Sequence, residues 1–384
     1  MKLHEFVVRR LLLLVPVMVG VAIFTFAIAH IIPGDPAAIQ CGDKCGLVVD
    51  YKEDGTPITA YEANRIRLKM DDPVVTQFGR YVSDLAEGDW GDSLTYHRPV
   101  VDVVRDAAPI TLEMSFFALL IAYPLGIVLG IISAVRQDQM FDHVSRFFAI
   151  AFVSLPIFWF AMMLQLYLAT GTENGGICDP IFGTDGGCFP IYGRHDPSYT
   201  YPEDGFFSFY PAGGTGFHLV DSWFVSSDKL ATMPEDFNSR GELFKDTLVH
   251  LALPCTALGV ASAGSLLRYM RASLLEVLNE DYVRTARAKG LSEFRVVVVH
   301  ACRNALVPIV TILGFSIGGA IGGAVLTETV FAFNGMGRVA VTSIQYLDFA
   351  VIMGVTLITS VIFLLSNLIV DIAYAIIDPR VRLE

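Results

Sequence analysis

Six apolar runs, each long enough to cross a bilayer, constrain this 384-residue chain more than any other feature. A helix needs about 20 predominantly apolar residues to traverse the hydrocarbon core. The runs cover residues 11–32, 110–135, 147–170, 247–267, 305–326 and 349–377. A hydrophobic content of 53% with only 17% charged residues leaves little surface for an ordinary soluble domain. The expected fold class is an all-α integral membrane protein with six transmembrane helices. The first run follows Lys2, Arg9 and Arg10, as in a signal peptide. It is too long for that role and enters Pro33-Gly34-Asp35-Pro36 with no small-residue cleavage site, so it is expected to remain as a helix.

Basic residues orient the helices. Lys2, Arg9 and Arg10, then Arg136 and Arg146, then the cluster Arg284, Arg287, Lys289, Arg295 and Arg303, and finally Arg380 and Arg382 all fall on one side of a six-span arrangement. By the positive-inside rule that side is the cytoplasm, and both termini are expected there. The intervening loops are acidic: residues 34–106 hold 14 Asp or Glu against 8 Lys or Arg, and residues 172–246 hold 12 against 4. The net charge of −12 is therefore a property of the outer face, and it excludes the basic surface that nucleic-acid binding requires. The chain divides into an N-terminus with helix one (1–32), an outer cap loop (33–109), helices two and three (110–170), an outer insertion (171–246), helix four (247–278), a cytoplasmic loop (279–304), and helices five and six with the tail (305–384). The cap loop is long enough to fold by itself, with a helix expected over 60–70. Residues 171–246, rich in Gly, Pro and Asp, are expected to be irregular.

Four of the six cysteines lie in the outer loops, Cys41 with Cys45 and Cys178 with Cys188. Two short-range disulfides are expected in an oxidising exterior. A metal site built from the same four is the rival reading, though neither pair has the C-x-x-C spacing of common zinc sites. Cys255 and Cys302 read as small packing residues. Gly314, Ser316, Gly318, Gly319 and Gly322 place small residues at helical spacing along span five. Such residues let helix backbones approach closely, and they also leave room for solute, so a packing face and a translocation path both fit. No nucleophile–base pair, metal set or phosphate-binding G-x-x-x-x-G-K-[ST] loop is present, so no catalytic residue is assigned.

The cytoplasmic loop carries the most specific chemistry. Asn279 is expected to cap a short helix over 280–289, with Glu280 and Asp281 in its first turn and Gly290 as its left-handed stop. Tyr282, Ala286 and Gly290 share one face of that helix with Val283 and Arg287 beside them, a small-residue stripe flanked by cations. Ser292 is placed to cap a second helix running into span five, so that a push on the first would reach the membrane. An amphipathic loop on anionic lipid is the alternative.

The run Asp281-Tyr-Val-Arg-Thr-Ala-Arg-Ala-Lys-Gly-Leu291, followed by His300-Ala-Cys-Arg-Asn-Ala-Leu-Val-Pro308, resembles the EAA-type coupling loop of binding-protein-dependent ABC importers. Specifically, it is similar to the permease subunits of the dipeptide/oligopeptide/nickel group. Ile32-Pro-Gly-Asp-Pro36, Asp72-Pro73, Gly88-Asp-Trp-Gly91, Arg98-Pro99 and Asp378-Pro-Arg380 extend the resemblance over most of the chain. Departures are Asn334-Gly-Met-Gly337, where the family pattern has Pro-Gly-Met-Gly, and outer segments 40–60 and 172–245, which look like insertions. The resemblance implies a type I ABC importer fold in the cell membrane, a second homologous permease, two cytoplasmic ATPases, and an extracytoplasmic solute-binding protein. It implies ATPase coupling through Tyr282, Arg284, Ala286, Arg287, Lys289 and Gly290, with ATP and Mg held by the ATPases and no cofactor on this chain. Peptides are the implied cargo; nickel chelates or oligosaccharides on the same architecture are the alternative, and a stand-alone carrier is a further one.

Overall fold

The computed structural model describes residues 3–31, 34–51, 56–170, 188–197, 215–225, 230, 237 and 239–377, with the backbone alone for 3–4, 320–323 and 373–377. Four helices are long and apolar enough to cross a membrane, within Glu5–Ile31, Val100–Val135, Arg240–Leu278 and Phe349–Ile372. Two further pairs meet that test only together, each broken by a bend: Met140–Ser154 with Ile157–Ala169 at 102°, and Glu293–Ala305 with Val307–Gly319 at 50°. The described chain is thus mostly helical with four to six candidate spans.

The expected helix over 147–170 differs most. Pro156 cannot continue the hydrogen-bonded ladder, and Leu155 before it adopts an extended backbone, so the run splits into two helices. Pro124, by contrast, is accommodated inside an unbroken 36-residue helix. That helix starts at Val100, so the outer loop ends ten residues earlier than expected. A strict all-α description also needs correction, because the cap contains a small antiparallel hairpin.

The elements fall into two compact units, one of Met1–Phe6, Ala108–Gly337 and Phe363–Glu384, the other of Val7–Ala107 and Arg338–Ile362. In the second unit, α1 (Leu3–Ile31) leads to α2 (Pro36–Cys41), whose first turn is capped by Asp35 through Ala37 N at 3.0 Å and Ala38 N at 3.3 Å. The hairpin of β1 (Val48–Tyr51) and β2 (Pro57–Thr59) then feeds α3 (Ala60–Arg67), which begins with a capping box between Thr59 and Glu62. This helix stops at Arg67, short of the expected residue 70. Tyr61 of α3 donates to Asp35 at 2.6 Å, and the Cys41–Cys45 disulfide closes the turn between α2 and the hairpin. Next comes α4 (Val74–Glu87), ended by Gly88 in the left-handed region at φ +85°. The loop after it is pinned by Asp348, which accepts from Ser93 Oγ at 2.6 Å and Thr95 N at 2.9 Å.

The first unit holds the rest of α5 (Val100–Val135), then α6 (Met140–Ser154), α7 (Ile157–Leu164), α8 (His218–Phe224) and α9 (Arg240–Leu278). Glycines set the spacing of its centre. A Cβ at Gly126 of α5 would lie 2.6 Å from Leu266 Cβ of α9, and one at Gly264 would lie 2.9 Å from the Ala149 carbonyl of α6. At 39 residues α9 is about 58 Å long, nearly twice the hydrocarbon thickness of about 30 Å. It is therefore longer than a crossing requires, and its Leu278 end carries α10 (Asp281–Ala288) and α11 (Glu293–Ala305), which α12 (Val307–Val330) follows. Helix α13 (Met336–Gln345) and α14 (Phe349–Ile377) complete the chain.

Candidate coupling site

Leu278 ends α9 and only Asn279 and Glu280 separate it from α10. Asn279 has the conformation of a helix C-cap, its side chain returning to Leu275 O at 2.9 Å; Glu280, extended, occupies the N-cap of α10. The expected capping role of Asn279 is thus corrected: with so short a connection, the last turn of α9 takes the residue first. Gly290 adopts φ +76° as expected, and open space surrounds its missing Cβ. Conformation alone requires glycine there. Ser292 stands at the N-cap position of α11 with extended backbone. Within α11, Val296–Ala301 form a π-helical turn, and a 50° bend at Leu306 separates it from α12.

Helix α10 is amphipathic, and its inner face is made of Val283 and Ala286. Both are buried in one cluster with Leu266, Met270 and Leu274 of α9 and Val296, Val297, Ala301 and Cys302 of α11. Burying Val283 alone stabilises this docking by about 1.5–3 kcal/mol. The expected outward small-residue stripe is therefore split, because Ala286 points into its own chain while Tyr282 and Gly290 stay exposed. Polar contacts complete the seat. Asn304 Nδ2 donates to Tyr282 Oη at 2.7 Å, and Arg287 Nε to Glu293 Oε1 at 2.7 Å. The outward face consists of Asp281, Tyr282, Arg284, Thr285, Ala288 and Lys289, with Arg284 3.4 Å from Asp281 and Phe294 of α11 76% exposed beyond the turn at Gly290.

A charged lock that sequence reasoning missed lies on α9. Asp142, fully buried at the start of α6, accepts from Arg271 of α9 through Nε at 2.7 Å and Nη2 at 2.8 Å. Ser133 Oγ at 2.5 Å and Asp138 N at 3.0 Å fill its remaining acceptor sites. A bidentate arginine pair of this geometry holds α9 at a fixed register about two turns before Leu278. The available signal was a carboxylate and a guanidinium among the charged residues that flank two apolar runs.

The span-five candidates separate by direction. Cβ atoms at Gly314 and Gly318 would collide with Val370 and Phe363 of α14, so these two form a packing face. Gly319 meets nothing within 4 Å. Ser316 accepts from Tyr123 of α5 at 3.2 Å, and Gly322 falls on the stretch described by backbone alone.

At the other end of this unit, carboxylates inside apolar helices anchor the loops. Glu113, within the run 110–135, accepts from Arg194 at 2.7 Å and from Leu219 N at 2.9 Å. Glu328 is fully buried and accepts from Thr111 at 2.6 Å, while Thr111 in turn accepts from Met336 N at 2.8 Å. A Cβ at Gly335 would sit 2.4 Å from Glu328 Oε1, which is why the motif Asn334-Gly-Met-Gly337 needs glycine against that carboxylate. Cys188 is in a disulfide, and Cys178 lies outside the described residues. Among the described residues no three His, Cys, Asp or Glu side chains converge as a metal site would need.

Two family models match the chain. Residues 126–383 match the inner membrane component of binding-protein-dependent transport systems, and residues 3–115 match the N-terminal part of such membrane components. The chain is 40% identical to a probable D,D-dipeptide transport system permease of Escherichia coli K12, over 96% of this chain and 94% of that protein. It is 36% identical to a dipeptide transport system permease of Alkalihalophilus pseudofirmus, over 98% and 99%. A di/tripeptide transport system permease of Pseudomonas aeruginosa is 37% identical over 98% of both chains.

Proposed function

This chain belongs to the family of inner membrane components of binding-protein-dependent transport systems, and on that premise we propose that it is a permease subunit of an ATP-driven peptide importer. It forms one half of the translocation path, with a second homologous permease supplying the other. Each bent helix pair counts as one span, giving six crossings with both termini cytoplasmic. An extracytoplasmic binding protein delivers the peptide, and two ATP-binding cassette subunits supply ATP, Mg and hydrolysis, consistent with a permease family that is itself a transport component. Peptides are favoured over nickel chelates or oligosaccharides because the three relatives above are named for dipeptide or tripeptide transport.

The observation that carries the reading is the geometry of α10. Its apolar face is buried on α9 and α11, while Arg284, Thr285 and Lys289 face away from the chain. A helix seated in this way, with Arg284 and Lys289 on its outer face, is suited to receive force from a soluble partner. Movement of α10 passes through Val283 and Ala286 to α11, and across the bend at Leu306 to α12. A rigid-body switch between two packings is the form of motion such a seat transmits. Replacing Arg284 and Lys289 together by Glu reverses the outer face without touching the buried one. We expect the variant to insert normally, lose co-purifying ATPase and lose peptide uptake; normal uptake with normal ATPase recovery would refute the assignment.

A further inference from the structure

The cap holds an amphipathic helix with half of its apolar face uncovered. On a helical projection of α4, Tyr81, Val74, Leu85, Phe78, Val82, Val75, Ala86 and Gly79 follow one another around one side. Ser83, Thr76, Glu87, Arg80, Asp84 and Gln77 occupy the other. Within the first half of the apolar side, Phe78 and Tyr81 are used, while Val74 stays exposed. Phe78 and Tyr81 pack on Phe26 of α1, with ring centroids 5.2 and 6.0 Å away, and His30 Nε2 lies 3.2 Å from Gln77 Oε1. The second half, Val75, Gly79, Val82 and Ala86, is exposed, with Val75 at 83%. Four apolar or small residues at i, i+4, i+7 and i+11 form a continuous strip rather than scattered exposure.

The depth of the contact selects the occupant. Phe26 lies five residues before Ile31, the last residue of α1, or about 8 Å inside that end at 1.5 Å per residue. Interfacial helices bury their apolar side about 5–10 Å into the headgroup–acyl boundary, and a helix docked on the last two turns of an apolar span is placed to do the same. Elsewhere on its surface α1 exposes Ile23, Phe24, Ile28 and Ile31, the apolar side chains a membrane span presents to lipid. The polar side, with Arg80 paired to Asp72 at 2.5 Å, is the side left for water. We propose that α4 lies in the membrane interface at the Ile31 end of α1, with Val75, Gly79, Val82 and Ala86 against acyl chains. The cap is then moored to the bilayer at two places, through α1 and through α4.

The full chain, with its co-purifying subunits and with buried Cys255 and Cys302 replaced by alanine, is placed in nanodiscs of phosphatidylcholine and phosphatidylglycerol. An environment-sensitive fluorophore is attached in turn through Val75→Cys, Val82→Cys and Ser83→Cys. Positions 75 and 82 should emit at shorter wavelength than 83 and be quenched several-fold more by lipids spin-labelled near the headgroup than by aqueous iodide, with the reverse at 83. Iodide quenching at 75 and 82 equal to that at 83 would overturn the proposal, and so would protection from both quenchers, which means a protein partner covers the strip. A measurement on the unaltered chain stands beside it. Photoactivatable phosphatidylcholine should cross-link within residues 74–87, and cross-links confined to the spanning helices would equally overturn the placement.

Discussion

At the level of single residues, Gly290 and Asp142 have opposite reasons for their identity. Nothing touches the space where a Gly290 side chain would be, so only its positive φ demands glycine. Gly290→Ala keeps the volume nearly unchanged and puts a Cβ in the left-handed region at a cost of about 1–2 kcal/mol. Uptake by the Gly290→Ala protein should fall while membrane insertion is unchanged, which a transport assay beside an expression assay would read. Asp142 is determined by contacts instead. Asp142→Asn leaves the Arg271 guanidinium facing a neutral amide in a buried site, and breaking such a pair costs on the order of 3–5 kcal/mol. Thermal unfolding in detergent should show a lowered midpoint for Asp142→Asn. Arg271→Lys should also be destabilised, because an ammonium cannot reproduce the two parallel hydrogen bonds. Gly290 was legible in the sequence because a helix stop is local. Asp142 was not, since its partner lies 129 residues away.

Among the elements, the cap shows how much local signals can and cannot convey. Asp35 starts α2, and the string Ile32-Pro-Gly-Asp-Pro36 around it is recognisable from consecutive residues alone. That Tyr61 would return to the same carboxylate depended on the hairpin and the Cys41–Cys45 disulfide folding α3 back. The Tyr61 hydroxyl, followed by the Ala38 and Ala37 amides and the Arg65 charge, holds the Asp35 carboxyl below its ordinary 3.8 against a smaller opposing effect of burial. A depressed folded pKa stabilises the cap at pH values above 3.8, and that stabilisation is lost as pH falls through the lowered folded value. Tyr61→Phe removes the largest cause, so acid opening of residues 34–70 should begin at higher pH in the variant. Hydrogen exchange between about pH 5 and about pH 2 would detect it; superimposable profiles would refute the link. Helix α10 makes the same division: its length and left-handed stop were readable, while the inward turn of Ala286 depended on where α9 and α11 stood.

For the whole molecule, the proposed role in an importer makes the predictions ones about what travels with the chain. Membrane vesicles containing the complete importer should accumulate labelled dipeptides in an ATP-dependent way, and excess unlabelled dipeptide should compete where a nickel chelate or an oligosaccharide does not. Uptake without ATP would instead point to a stand-alone carrier.

By itself the sequence determined that this is a multi-pass membrane protein and where the short charged helix before span five lies. Apolar length, charge count and turn-forming residues are properties of consecutive residues, and neighbours suffice to read them. Only the tertiary structure decided that Pro156 breaks a run while Pro124 does not, and that Gly314 and Gly318 serve packing while Gly319 is open. It also decided that buried carboxylates at 113, 142 and 328 are satisfied by distant partners. Those outcomes depend on which atoms from remote parts of the chain fill a space or complete a hydrogen bond, and no local pattern carries that information.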